Sequence, residues 1–169
     1  MRLVVIRHRR RRARMQSSST LVVVDLQRAF PPPPRFVVAL RRYARRFDRR
    51  IFTRFVNPRG SLFRRRLHQR CCAPGTQDTE LLIAPEPGDL VLSKDGYGLR
   101  PADLRRLRRL GICEVTVCGV DTDACVLGVM FSLFDAGISC RAKAKYCRSS
   151  AGLHRPALRI IEEQFEPLR

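Results

Sequence analysis

Between residues 21 and 165, short β-branched apolar runs alternate with segments whose apolar residues recur every three or four positions. This alternation limits the fold more than any other feature of the chain. The first run, Leu21-Val22-Val23-Val24, is continuously apolar, as a strand covered on both faces requires. It stops at Asp25. The run Pro31 to Pro34 extends neither strand nor helix and makes a stiff lead-in to the next element. From Arg35 to Arg49, the residues Phe36, Val37, Leu40, Tyr43, Ala44 and Phe47 predict one apolar helix face, with Arg41, Arg42, Arg45, Arg46 and Arg49 opposite. Further strands are predicted over Ile51 to Phe55, Asp89 to Ser93, Glu114 to Val120 and Ile138 to Tyr146. Helices are predicted over Pro101 to Leu110, closed by Gly111, over Ala124 to Ala136, closed by Gly137 and largely buried, and over Ser150 to Phe165. The segment Val56 to Asp78 has no clear period and reads as a long loop of the kind that usually serves function. Such alternation predicts a three-layer α/β/α fold with a mostly parallel central sheet of about five or six strands.

The chain has 169 residues, enough for one domain with a real core. That domain is expected over residues 20–169, after a disordered Arg-rich arm over 1–19 that carries seven Arg and no acid. Basic residues number 34 against 15 acidic, a formal charge of +19, and only Lys94, Lys143 and Lys145 are Lys. At 44% apolar residues, the body is not a disordered polycation. No apolar run is long enough to cross a membrane, and the Leu3 to Ile6 run precedes its basic block, the reverse of a secretory signal. The Arg excess, with few Lys and few interleaved aromatics, reads as composition on solvated faces. A basic nucleic-acid-binding protein using the arm is the alternative from another class, and only weak, non-specific binding is expected of it. Seven Cys, an odd number with no CxxC spacing, argue against a disulfide framework or a structural zinc site. They point to a reducing compartment, hence a cytoplasmic protein.

Ligands of parallel α/β sheets sit outside the carboxyl ends of the strands. Asp25 follows the first strand, Lys94 the third, and Cys125 stands at a helix start after the fourth. Each alone has a plain structural reading: a helix cap, a solvated amine, a core thiol. Together they place an acid, an amine and a nucleophile on one edge. A helix N-terminus and a nearby ammonium are expected to lower the thiol pKa. A carboxylate can take the thiol proton and return it to a leaving amine. Backbone N–H groups before the helix are available for a tetrahedral oxyanion.

The combination of Val23-Val24-Asp25-Leu26-Gln27, Lys94 and Val117-Cys118-Gly119-Val120-Asp121-Thr122-Asp123-Ala124-Cys125-Val126 resembles the isochorismatase-like cysteine hydrolase family. The resemblance spans about Thr20 to Phe165. It implies a catalytic triad of Asp25 as proton acceptor and donor, Lys94 as its charged partner and Cys125 as nucleophile. It further implies a cis peptide between Val120 and Asp121, with the Asp121 and Cys125 N–H groups as oxyanion hole. The family's vinyl-ether hydrolases often lack the Cys, so Cys125 leans toward cleavage of a small amide or related C–N bond through a thioester; isochorismatase-type vinyl-ether hydrolysis is the alternative. Gln27, Phe30, Asn57, Phe63 and Tyr97 are assigned to the substrate pocket. Nicotinamidases of the family carry a metal-binding Asp-x-His after the second strand. Here Arg54-Phe55-Val56-Asn57-Pro58 stands there and His68 reads as a solvated loop residue, so no metal and no cofactor are expected. The family also often has an Asp after the fifth strand, where this chain has Tyr146-Cys147-Arg148. Arg64 to Arg66 are weighed as a site for a substrate carboxylate, with surface solvation the plainer reading. The resemblance implies a homo-oligomer, dimer or tetramer, acting on a small-molecule substrate, with no membrane partner.

Overall fold

The computed structural model describes residues 19–165. The arm predicted over 1–19 lies outside the described residues except for Ser19, whose N–H and hydroxyl both donate to Asp48 Oδ2 at 2.8 and 2.9 Å. Five strands form one sheet: β1 Thr20–Val24, β2 Arg49–Phe55, β3 Leu90–Lys94, β4 Glu114–Val120 and β5 Ser139–Arg148. Their spatial order is β3-β2-β1-β4-β5, and all four pairings are parallel. This is the α/β architecture expected. Strand order reverses at β1, so the carboxyl ends of β1 and β4 border the position where such sheets bind ligands. Leu21 to Val24 are fully buried, as their unbroken apolar run requires.

Five helices flank the sheet: α1 Pro34–Ala44, α2 Leu62–Arg66, α3 Pro101–Arg109, α4 Leu127–Asp135 and α5 His154–Phe165. Right-handed crossovers place α1 over one face and α3 and α4 over the other. In keeping with this, the Leu99 N–H before α3 donates to Ser132 Oγ of α4 at 3.0 Å. None of the helices is long and apolar enough to cross a membrane, among the described residues.

Several boundaries differ from the periodicity. Helix α1 stops at Ala44, because Arg46 and Phe47 turn back to bond the Tyr43 and Ala44 carbonyls; Phe47 stays on the apolar face through an edge-on contact with Tyr43. The long loop is not structureless, since Ser61 caps the single turn α2 by accepting from the Arg64 N–H. The predicted helix from Ala124 divides. A wide turn over Thr122–Val126, closed by the Val126 N–H on the Asp121 carbonyl, precedes α4. Nor is α4 buried all round: Phe131 and Phe134 face outward and meet Phe165 of α5 edge-on. The last helix starts at His154 because Ser149 to Gly152 form a loop held to the turn after β4.

Two core thiols make the fold sensitive to alkali. Cys118 and Cys147 donate weakly to the Val22 and Val117 carbonyls, and burial pushes both up, Cys147 to about 12. An unfolded-chain thiol ionises near 8.5. Their contribution is therefore complete below roughly pH 8.5 and is lost as pH rises toward the folded values, by up to about 1.4 kcal/mol per pH unit for each thiol. We expect the melting temperature to fall steadily between about pH 8 and pH 10.5, and Cys118→Ala and Cys147→Ala each to flatten that fall. An unchanged slope in both variants would exclude these thiols as its cause.

Candidate active site

Three adjacent strands build a buried ion pair and its clamp. Asp25 follows β1 with a left-handed φ of 43°, a conformation that non-glycine residues hold only where neighbours enforce it. Here the neighbour is Thr53 of β2: the Asp25 N–H donates to Thr53 Oγ1 at 3.0 Å, and that hydroxyl donates to Asp25 Oδ1 at 2.6 Å. The other carboxylate oxygen meets Lys94 Nζ at 2.7 Å. Lys94 ends β3, two strands from β1, so its side chain crosses β2 to reach Asp25. On the way its ammonium lies 5.4 Å from the Phe55 ring centre, and it also donates to the Gly96 carbonyl at 2.8 Å. Asp25, Thr53 and Lys94 are each at most 1% exposed. Thr53 escapes sequence reasoning, although a hydroxyl inside an apolar buried run was the available signal.

The third group arrives from β4. Gly119 has φ 126°, and a Cβ there would stand 2.2 Å from the Val24 carbonyl oxygen, so β1 and β4 approach this closely only at glycine. The peptide between Val120 and Asp121 is cis. The wide turn that follows carries Cys125, half-buried and beside Asp25 and Lys94. Two side-chain bonds tie the turn to the β5–α5 loop. Asp121 accepts from the Ser150 N–H and hydroxyl at 2.9 and 2.7 Å, and Thr122 Oγ1 pairs with His154 Nδ1 at 2.8 Å.

The Cys125 thiol is held well above the ordinary thiol range, which reverses the expected lowering. Burial is the largest cause, the Asp25 carboxylate adds to it, and Lys94 opposes both. Removing a thiolate from water outweighs the helix terminus and the ammonium together. At rest the site therefore favours the neutral thiol, beside the Asp25–Lys94 pair.

A cavity of about 120 Å³ opens onto Cys125 between Phe30, Phe55, Phe63, Tyr97 and Val120. Phe63 sits edge-on to both Phe55 and Tyr97. Three of the residues assigned to the pocket, Phe30, Phe63 and Tyr97, thus line it, but the other two do not. Gln27 is fully buried and mimics a strand residue: its amide donates to the Phe55 carbonyl at 3.0 Å and accepts from the Phe55 N–H at 2.7 Å. Asn57 is also fully buried and donates to the Gln69 and Cys71 carbonyls at 2.9 and 3.1 Å, which folds the long loop inward. Both amides were the right type for a ligand, but backbone groups left without strand partners claim them first. Gln69, unassigned from the sequence, takes a place in the wall.

The donor set beyond β2 does not suit a metal. Asn57 is committed to the loop, His68 points to solvent, and among the described residues no three His, Cys, Asp or Glu side chains gather for an ion.

Asp25→Asn separates two effects. It keeps the Thr53 contact and the side-chain volume but removes the charge that raises Cys125. The pH midpoint of iodoacetamide labelling at Cys125, followed by mass spectrometry below the melting temperature, is expected to move down in Asp25→Asn and up in Lys94→Met. Both variants should lose about 3–5 kcal/mol of stability, because each leaves a buried charge unpaired. An upward shift in Asp25→Asn would overturn the assigned coupling.

Comparison with solved structures places this geometry among known folds. The chain is similar to the pyrazinamidase of Pyrococcus horikoshii, described in complex with zinc, with TM-score 0.78 and 22% identity over 88% of this chain and 96% of that one. The nicotinamidase of Bacillus subtilis gives TM-score 0.73 and 17% identity, over 90% and 98% of the two chains. The N-carbamoylsarcosine amidase of Thermoplasma acidophilum gives 0.69 and 20%, over 86% and 93%. No curated protein sequence matches the chain. The family model of the isochorismatase domain matches residues 19–168, a span holding every strand, the Asp25–Lys94 pair and Cys125, and the chain therefore belongs to the isochorismatase family of hydrolases.

Proposed function

We propose that the protein is a cysteine-dependent hydrolase of a small amide or related C–N bond, working through a thioester. The observation that carries this reading is the Cys125 thiol, set by the turn after β4 beside the buried Asp25–Lys94 pair. As Cys125 Sγ attacks the amide carbon, its proton passes to Asp25 and the carbonyl electron pair moves onto oxygen. The Asp121 and Cys125 N–H groups receive that oxyanion. Collapse of the tetrahedral adduct breaks the C–N bond, and Asp25 gives its proton to the departing nitrogen. Water then attacks the thioester, with Asp25 taking its proton, and a second collapse returns the proton to the sulfur. One amide and one water become one acid and one amine.

Lys94 supports both half-reactions by compensating the carboxylate while Asp25 is ionised and by opposing its effect on the thiol. Thr53 fixes the carboxylate plane, so the oxygen facing Lys94 does not rotate away. A cavity of about 120 Å³ walled by aromatic rings suits a compact substrate and thins the water around the thioester.

The test is an activity screen over small amides, ureas and isochorismate-like vinyl ethers, with wild type and Cys125→Ala in parallel. At least one amide or urea should turn over, with the acyl group trapped on Cys125 as a mass increase after acid quench. Cys125→Ala should lose about three orders of magnitude or more while keeping its melting temperature within a few degrees. Undiminished turnover in Cys125→Ala would refute the thioester route, and turnover of vinyl ethers alone would refute the C–N assignment.

A further inference from the structure

The wide turn over Thr122–Val126 is closed on itself by the Ala124 and Val126 N–H groups, which both donate to the Asp121 carbonyl, at 3.1 and 3.0 Å. Those bonds set the shape of the turn but not its tilt against the sheet. The tilt answers to α5. The buried face of that helix runs through Ala157 and Ile161, and His154 stands one turn before Ala157 on the same face. Pro156 falls in the first helical turn, where a missing N–H has no intrahelical partner to lose, so the helix can begin at His154 itself. The half-buried imidazole thereby meets the turn, with Nδ1 2.8 Å from Thr122 Oγ1.

Two side chains of the β5–α5 segment reach the turn, and their bonds differ in kind. Ser150 donates twice to the Asp121 carboxylate at 2.9 and 2.7 Å, at the protein surface, where water can stand in for it. Thr122 is fully buried, and His154 Nδ1 is the one side-chain partner of its hydroxyl among the described residues. An apolar side chain in place of the ring leaves that hydroxyl unpaired inside the protein, which costs more than the bond itself contributes. The turn must then shift to recover a partner. The Asp121 and Cys125 N–H groups shift with it, since they stand one residue before and three residues after Thr122 on the same turn.

We propose that His154 is a positioning residue of the reaction: through Thr122 it holds the nucleophile turn so that the two N–H groups converge on the developing oxyanion. It acts on the turn and not on the reacting atoms. Misplacing a catalytic group by about 1 Å costs about a hundredfold in rate. A tilt of the turn too small to disturb the fold is therefore large enough to show in the kinetics. This assignment rests on the nucleophile and oxyanion reading above, and it names the residue outside the turn on which that geometry depends.

Two probes of Cys125 separate the placing of the amides from the reactivity of the sulfur. p-Nitrophenyl acetate acylates the thiol through a tetrahedral oxyanion: sulfur bonds to the ester carbon, p-nitrophenolate departs and the acetyl group stays on sulfur. Iodoacetamide alkylates the same sulfur by displacing iodide, with no oxyanion. Both rates are measured in the full chain below its melting temperature, and each label is located to Cys125 by fragment mass spectrometry. His154→Leu should slow acylation about tenfold or more while leaving alkylation within about twofold. His154→Asn, whose amide reaches the position of Nδ1, should recover most of the acylation rate. Thr122→Val should lose as much as His154→Leu, and the double variant no more than either, because one bond is removed in all three. Leu158→Ala, which removes packing from α5 one turn further on, should keep the wild-type ratio of the two rates. An unchanged ratio in His154→Leu, an equal fall of both rates, additive losses in the double variant, or the same loss in Leu158→Ala would overturn the assignment while leaving the nucleophile in place. Labelling of wild-type Cys125 by iodoacetamide but not by p-nitrophenyl acetate would overturn the nucleophile reading and this assignment with it.

Discussion

The arrangement of β1, β2 and β3 answers to one interaction, the ion pair between Asp25 and Lys94. Taking both charges out of water costs several kcal/mol per ion, and the pair repays this only with good geometry and with its remaining hydrogen bonds satisfied. Each part of that requirement is visible. The contact is 2.7 Å, Thr53 occupies the second carboxylate oxygen, and the Gly96 carbonyl takes a further ammonium proton. Meeting it demands that Asp25 adopt a left-handed backbone and that Lys94 cross above Phe55. A one-residue slip of β3 against β2 would turn Lys94 to the opposite face and leave a bare carboxylate inside the protein. Register, backbone conformation and charge are thus linked at the carboxyl edge of the sheet.

The cysteine answers first to burial and then to the same pair. A helix terminus contributes about 0.3–1 kcal/mol to a charge at its end. Burial can shift a pKa by several units, each worth about 1.4 kcal/mol. The larger effect wins at Cys125, and the wide turn over Thr122–Val126 places the thiol against the carboxylate as well as the ammonium. A thiol held in its neutral form resists oxidation and stray alkylation, since the thiolate is the reactive form. In the proposed thioester route, Asp25 rather than a standing thiolate supplies the activation in the bond-forming step.

Much of this was legible before any coordinates. Continuous apolar runs mark doubly covered strands, and β4 runs from Glu114 to Val120 as the pattern predicts. Asp25 and Lys94 stand where strands end and Cys125 in the turn after β4, and the sheet brings the three together. Side chains whose role depends on a distant partner were not legible. Gln27 and Asn57 look like ligand-binding amides, yet each repairs backbone groups that strand pairing leaves unsatisfied. Thr53 looks like an ordinary strand residue and is the clamp on the acid. His154 is one of three scattered His in the sequence, and only the assembled fold sets it against the nucleophile turn.

The sequence by itself determined the alternation of strands and helices, the parallel sheet that follows from it, and the placing of Asp25, Lys94 and Cys125 at its carboxyl edge. Tertiary structure alone decided which strands are neighbours, which amide faces a cavity and which faces a backbone, and whether the thiol is neutral or ionised. The physical reason is range. Periodicity and chain punctuation record which face of an element is buried, and both act within about ten residues. Hydrogen-bond satisfaction, desolvation and close approach at Gly119 depend on groups far apart in the chain, and they take their values only when the sheet has assembled.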